Sequence, residues 1–148
     1  MVKFRMSAGV KFISAFAVIW AVVLIGSAQA ASRACHVQAL RTFSTNCNSG
    51  MLYVGPFNPQ KYGGYCVKTS MPCISLAIRT NNRNCGKNGQ YVGAKNALAL
   101  GGTCLTAAKG WSIKESSVNS ARCRFPAVYV GPHRGEKHGG SCVEIIAR

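Results

Sequence analysis

The sequence predicts an all-β domain of three 38-residue pseudo-symmetric repeats, and three observations carry that expectation. One pattern is written three times without insertion or deletion: Cys, five residues, Tyr-Val-Gly, seven residues, Gly-Gly, one residue, Cys, then Val or Leu. The copies begin at Cys47, Cys85 and Cys123 and end at Val67, Leu105 and Val143. Apolar alternation of period two, as in Ile74, Leu76 and Ile78, marks a half-buried strand. No stretch shows sustained helical periodicity with caps.

At the start of the chain, Lys3, Arg5 and Lys11 form a positive region and Phe12 to Gly26 is an apolar run, followed by the small-x-small site Ala28-Gln29-Ala30. The run is shorter than the ~20 residues of a spanning helix, so residues 1–30 are read as a cleaved secretory signal peptide, with a retained anchor as the rival reading. Residues 31–148 are then a single disulfide-rich domain, with a short leader followed by repeats at 35–72, 73–110 and 111–148. Fixed-period self-similarity of this kind points to a repeat or pseudo-symmetric fold.

All eight cysteines fall after the signal. An export signal with an even cysteine count indicates an oxidising compartment, either periplasmic or extracellular. No Cys-x2-Cys pair supports a zinc site. The simplest symmetric pairing closes each repeat on itself, Cys47 with Cys66, Cys85 with Cys104 and Cys123 with Cys142, and leaves Cys35 for Cys73. Trp111 opens the third repeat in place of a cysteine, because three symmetry-related thiols cannot all pair.

Within a repeat the order reads strand, turn, strand, loop, strand. Ile74, Leu76 and Ile78 alternate with Ser75, Ala77 and Arg79, while Val37 and Ile113 sit one residue out of phase with Ile74, leaving the inward face there open. Turns follow at Asn48-Ser49-Gly50, Lys87-Asn88-Gly89 and Arg124-Phe125-Pro126, and Asn-Gly is a hairpin signal. The Tyr-Val-Gly strand comes next. Gly-Gly then leads into a last strand with Val67, Leu105, Val143 and Ile145 on one face. Three equal β repeats favour a closed threefold arrangement such as a β-trefoil over a row of disulfide-stapled modules that touch only their neighbours. Against a trefoil, only three strands are legible per repeat, and the Gln-x-Trp signature of ricin-type trefoil lectins is absent.

Charge and residue inventory narrow the function. After the signal, 15 Lys and Arg face three Glu (Glu115, Glu136 and Glu144) and no Asp, a net charge near +12. Such an excess favours polyanions. Carboxylate pairs for acid–base catalysis are scarce, which argues against an enzyme. The cations are spread over all three repeats rather than gathered in a nucleic-acid reader motif, so nucleic-acid binding is expected only through phosphates, without sequence preference and weakening with salt. No cofactor or metal is called for by any motif.

The seven identical positions read as structural. Tyr53, Tyr91 and Tyr129 are taken as core or strand-edge residues, with sugar-stacking platforms as the alternative. Binding is placed instead on the seven-residue loops, whose frame repeats while their content changes. The candidate ligand-binding residues are Asn58, Lys61 and Tyr62 of the first loop and His133, Arg134, Lys137 and His138 of the third. The second loop, Ala94 to Leu100, is mostly apolar and must pack on the body or meet a partner or membrane. The functional expectation is an exported basic module recognising anionic or polar glycans of the cell envelope. An exported protein partner, as for an enzyme inhibitor, and peripheral membrane contact by a cationic membrane-active protein are the alternatives.

Overall fold

The computed structural model describes residues 35–148, and the segments read from the sequence as signal peptide and leader lie outside the described residues. The first repeat contains β1 (Val37–Thr42), β2 (Leu52–Val54), the one-turn helix α1 (Pro59–Tyr62) and β3 (Gly64–Thr69). The second has β4 (Ile74–Thr80), β5 (Gly89–Gly93), α2 (Ala97–Leu100) and β6 (Gly102–Ala107). The third has β7 (Trp111–Val118), β8 (Val128–Val130), α3 (Gly135–His138) and β9 (Gly140–Ala147). The domain is mostly β.

In every repeat the last strand is central: the sheet orders are β1-β3-β2, β4-β6-β5 and β7-β9-β8, all antiparallel. The register repeats as well, with Tyr53 opposite Cys66, Tyr91 opposite Cys104 and Tyr129 opposite Cys142. The strands flanking Asn88-Gly89 therefore do not form the hairpin that the dipeptide suggests. The connection between β4 and β5 is too long for a two-residue hairpin turn, and the Cys85–Cys104 bond ties it to β6 instead.

The disulfides are Cys35–Cys73, Cys47–Cys66, Cys85–Cys104 and Cys123–Cys142, the set expected from the repeat register. The three within repeats are geometrically alike, with Cα atoms 5.5, 5.4 and 5.6 Å apart. Trp111 packs beside the Cys35–Cys73 bridge and Ile145, filling the symmetric place where a third cysteine would have no partner. Four disulfides in a domain this small are typical of exported or extracellular proteins.

The core is symmetric too. Val54, Val92 and Val130 come from the second strands and Val67, Leu105 and Val143 from the third, all buried in one cluster with Tyr65 and Tyr129. On the first strands the inward face differs from the one the alternation in β4 suggests. Leu76 and Ile78 are 50% and 54% exposed, while Ala77 packs inward as Ala39 does. A bulge between Ile74 and Leu76 shifts the phase by one residue, so that Ile74 still reaches the core alongside Val37 and Ile113.

The seven-residue loops are not irregular, and each winds one helical turn. The Asn58 and Asn96 side chains cap α1 and α2 by accepting the Lys61 and Ala99 backbone N–H at 3.0 and 3.1 Å. Gly63, Gly101 and Gly139 end the turns at φ of 73°, 75° and 68°, a left-handed region that favours glycine. Four residues are too few to register as periodicity, and the capping Asn before Pro59 was the legible signal.

Hydrogen bonds link the repeats through these loops. Phe57 N–H donates to Leu100 O at 2.9 Å, Lys95 N–H to His138 O at 3.0 Å and His133 N–H to Tyr62 O at 2.8 Å. These are equivalent positions in the three repeats, and the last bond runs from the third repeat to the first, a contact a linear row lacks. A second set runs from Gly55 N–H to Thr103 Oγ1 and from Gly93 N–H to Ser141 Oγ, at 3.2 and 3.1 Å. Tyr65 holds the third equivalent place and packs edge-on against Tyr129 instead. Each sheet has three strands, one fewer than a trefoil unit, so the fold is described as three linked three-stranded sheets.

Candidate functional site

The tyrosines of the repeated motif are structural plugs. Tyr53, Tyr91 and Tyr129 donate their hydroxyls to the carbonyls of Pro56, Ala94 and Pro132 at 2.7, 2.9 and 2.7 Å. Their rings cover Gly64, Gly102 and Gly140 of their own repeat, where a side chain would collide with them. That placement removes the sugar-stacking alternative for Tyr91 and Tyr129, which are buried, while Tyr53 is partly exposed. Burial pushes the Tyr53 and Tyr91 hydroxyls up to about 12 and raises Tyr129 further. The folded state thus holds these protons where the unfolded chain releases them, and stability falls as pH rises above ~10, the ordinary tyrosine value. A spectrophotometric titration at alkaline pH should show these three phenols ionising late and together with loss of the folded circular dichroism signal.

The seven loop residues singled out from the sequence divide by role. His133 is enclosed: its ring lies over Gly63 and packs edge-on against Phe43 and Tyr65, with centroids 4.6 and 5.6 Å away. Its Nε2 is 2.9 Å from Gly64 O, which assigns the proton to that nitrogen. Asn58 uses its carbonyl oxygen as the α1 cap. Tyr62 and His138, far apart in sequence, meet edge-on at 5.3 Å. Lys61, Arg134 and Lys137 are exposed, Lys61 with its ammonium 5.2 Å from the Tyr62 ring centroid. The structure therefore gathers Lys61, Tyr62 and His138, and gives the partly buried His133 ring packing contacts with Phe43 and Tyr65.

Desolvation lowers the His138 pKa from 6.5, with Lys137 and Arg134 adding in the same direction. Neutral imidazole is thereby favoured in the folded state. As pH falls through ~6.5 the unfolded chain takes up this proton first, so His138 contributes a loss of stability between that value and its lowered folded one. A His138→Gln variant should show a flatter dependence of urea midpoint on pH across that window than the wild type.

A cleft of about 1180 Å³ lies at the junction of the second and third repeats. One wall is α2 with Lys95 and Asn96, the other is the end of α3 from Glu136 to Gly139, and Asn81, Asn82, Arg83 and Asn119 complete the lining. Of the residues singled out from the sequence only Lys137 and His138 reach it. Apart from Glu136 in the third loop and the motif's Gly139, the remaining lining residues were missed because they precede the motif's first cysteine or belong to the apolar second loop, and their one signal was the density of Asn in Asn81-Asn82-Arg83-Asn84. The apolar loop packs on the body through Ala94, Ala97 and Leu100, all buried, while Leu98 stands in this cleft 82% exposed.

Among the described residues there is no group of three or more His, Cys, Asp or Glu that could hold a metal ion, and no helix long and apolar enough to cross a membrane. The fold and loops define a class: a disulfide-stapled, repeat-built β domain with a varied loop set on a constant frame. Comparison with protein-family models, curated proteins and solved structures finds no match.

Proposed function

We propose that the protein is an exported basic module that binds anionic or polar glycans of a cell envelope, in the periplasm or outside the cell. One observation carries this reading: the hydrogen-bonded loops bring exposed cations and amides from different repeats together on a frame held by disulfides. Lys61, Arg134 and Lys137 supply positive field, and Tyr62 with His138 supplies a partly apolar contact of fixed geometry. Asn58 retains an amide N–H2 to donate, its oxygen being used by the helix cap. Binding sites on a preorganised frame lose less ordering entropy when they engage a polymer.

The test is binding of the oxidised domain, residues 31–148, to neutral glycans, anionic envelope polymers and DNA at low and high salt. Selective glycan binding that survives salt supports the reading. Indiscriminate polyanion binding that salt abolishes reduces it to electrostatics, and absence of glycan binding overturns it. The exposure of Leu98 favours a second reading, contact with a membrane surface. That reading predicts leakage of anionic lipid vesicles and its loss in Leu98→Ser, neither of which a glycan-binding module requires.

A further inference from the structure

The three junctions between repeats are equivalent in backbone but not in side chains. In each, the residue two places after Tyr-Val-Gly lies over the first glycine of the next repeat's Gly-Gly pair: Phe57 over Gly101, Lys95 over Gly139 and His133 over Gly63. Phe43 closes the junction of the third and first repeats by packing on His133. Its equivalents by register are Asn81 and Asn119, both of which line the cleft between the second and third repeats. There a lysine chain stands in place of an aromatic ring over the glycine, and Asn119 stands in the place of Phe43, while Asn81, the counterpart at the junction of the first and second repeats, also reaches the cleft. The junction of the first and second repeats carries Phe57. Small and flexible side chains thus leave one junction open where aromatic rings occupy the others.

We infer that this open junction is a single saccharide site, and that its ligand is a carboxylate-bearing polysaccharide segment, such as a uronic-acid chain. The inference rests on the glycan-binding reading and narrows it to one site per molecule and one ligand chemistry. Its volume, about 1180 Å³, exceeds the ~300–1,000 Å³ common for small-molecule pockets and suits a polymer segment rather than one sugar. The walls are rich in donors. Asn82 and Asn96 use their amide oxygens to accept the backbone N–H of Asn84 and Ala99, which leaves their N–H2 groups to donate. Lys95, Lys137 and Arg83 add cationic donors around the same space. Glu136 is the one carboxylate in the lining. It accepts from sugar hydroxyls, and His138 is the one aromatic ring in the lining, fewer stacking platforms than successive bases use, so a hydroxylated carboxylate fits better than single-stranded nucleic acid. Leu98 offers an apolar surface to the C–H face of a sugar ring.

The probe is a short oligogalacturonate, with its methyl-esterified form and an oligothymidylate as comparisons, measured by titration calorimetry on the oxidised domain. One bound chain per molecule is expected, with methyl esterification weakening it. Asn119→Phe, which introduces the ring that Phe43 supplies at the closed junction, should weaken binding about tenfold or more, as loss of a central contact does. Leu98→Asp gives the same readout at an exposed position where folding is not at stake, and Lys137→Ala should cost more than Lys87→Ala, although both remove one charge. If oligogalacturonate binds the wild type and both cleft variants equally, while Lys61→Ala or Arg134→Ala weakens it, the cleft assignment is overturned and the broader glycan reading stands. If no saccharide in the panel binds, that broader reading fails and the cleft assignment with it. Tighter binding of oligothymidylate than of oligogalacturonate overturns the carboxylate assignment.

Discussion

Replacing Cys35 and Cys73 together by Ser should destabilise the domain by about 4 kcal/mol, against about 3 kcal/mol for Cys123 and Cys142, in the chain-entropy account of a cross-link. The order follows from loop size. Cys35–Cys73 spans a sequence separation of 38, while each bond within a repeat spans 19. Packing acts in the same direction. Cys35 and Cys73 are 5% and 0% exposed and lie against Trp111 and Ile145, so serine hydroxyls there lose apolar packing and meet few partners. Urea denaturation with a common slope would measure both losses. Equal losses, or a larger one at Cys123–Cys142, would mean that the bridge between the first two repeats adds little beyond the sheets it joins.

Gly140→Ala should cost about 1–3 kcal/mol by overpacking, more than a single methyl group at an open site. An added Cβ at Gly140 collides with the Tyr129 ring, and that ring is held by hydroxyl bonds to Pro132 O at 2.7 Å and Gly139 O at 3.3 Å, so it cannot swing away without breaking them. Gly86→Ala is the matched comparison: its Cβ would meet nothing within 4 Å, and only the left-handed backbone at φ 75° opposes it. A Gly140→Ala loss no larger than that of Gly86→Ala would show that the tyrosine plug tolerates displacement. The same experiment at Gly102 should agree, because Tyr91 covers that glycine in the same way.

Packing between repeats also explains why the second and third are joined most polarly. Glu115 stands at the inward position that Ala39 and Ala77 hold in the other repeats, and it is partly buried. Ser141, 1% exposed, donates to Glu115 Oε1 at 2.7 Å while accepting from Gly93 N–H. Ser117 donates to the same carboxylate oxygen and accepts from Arg83 at 3.1 Å, so a polar chain runs from one wall of the cleft into the third sheet. Among the described residues no buried side-chain polar atom lacks a partner.

Much of this frame was legible in the sequence because its determinants recur at a fixed spacing. Cysteine positions 19 apart in each repeat and the leftover pair at Cys35 and Cys73 make the symmetric pairing the simplest one, and the structure has it. The Val and Leu positions beside the cysteines define the core strands. The phase of β4 was not legible, because a bulge is a choice of hydrogen-bonding register and leaves no mark in an apolar alternation that fits either face. The strand order was equally hidden, since an Asn-Gly turn reports local backbone curvature and not which distant strand each arm joins. The packing of His133 was hidden for the same reason: a histidine in a charged loop carries no sign that Phe43, Tyr65 and Gly63 will lie against it.

The sequence by itself determined the repeat boundaries and the basic charge and pointed to the all-β class and to a symmetric cysteine pairing, each of which depends on residue identity and separation along one chain. Only the tertiary structure decided that the third repeat bonds back to the first and that one of three equivalent junctions stands open. Those features depend on which side chains from different repeats meet over the Gly-Gly pairs, where aromatic rings fill the space that a lysine and an asparagine leave as a cleft.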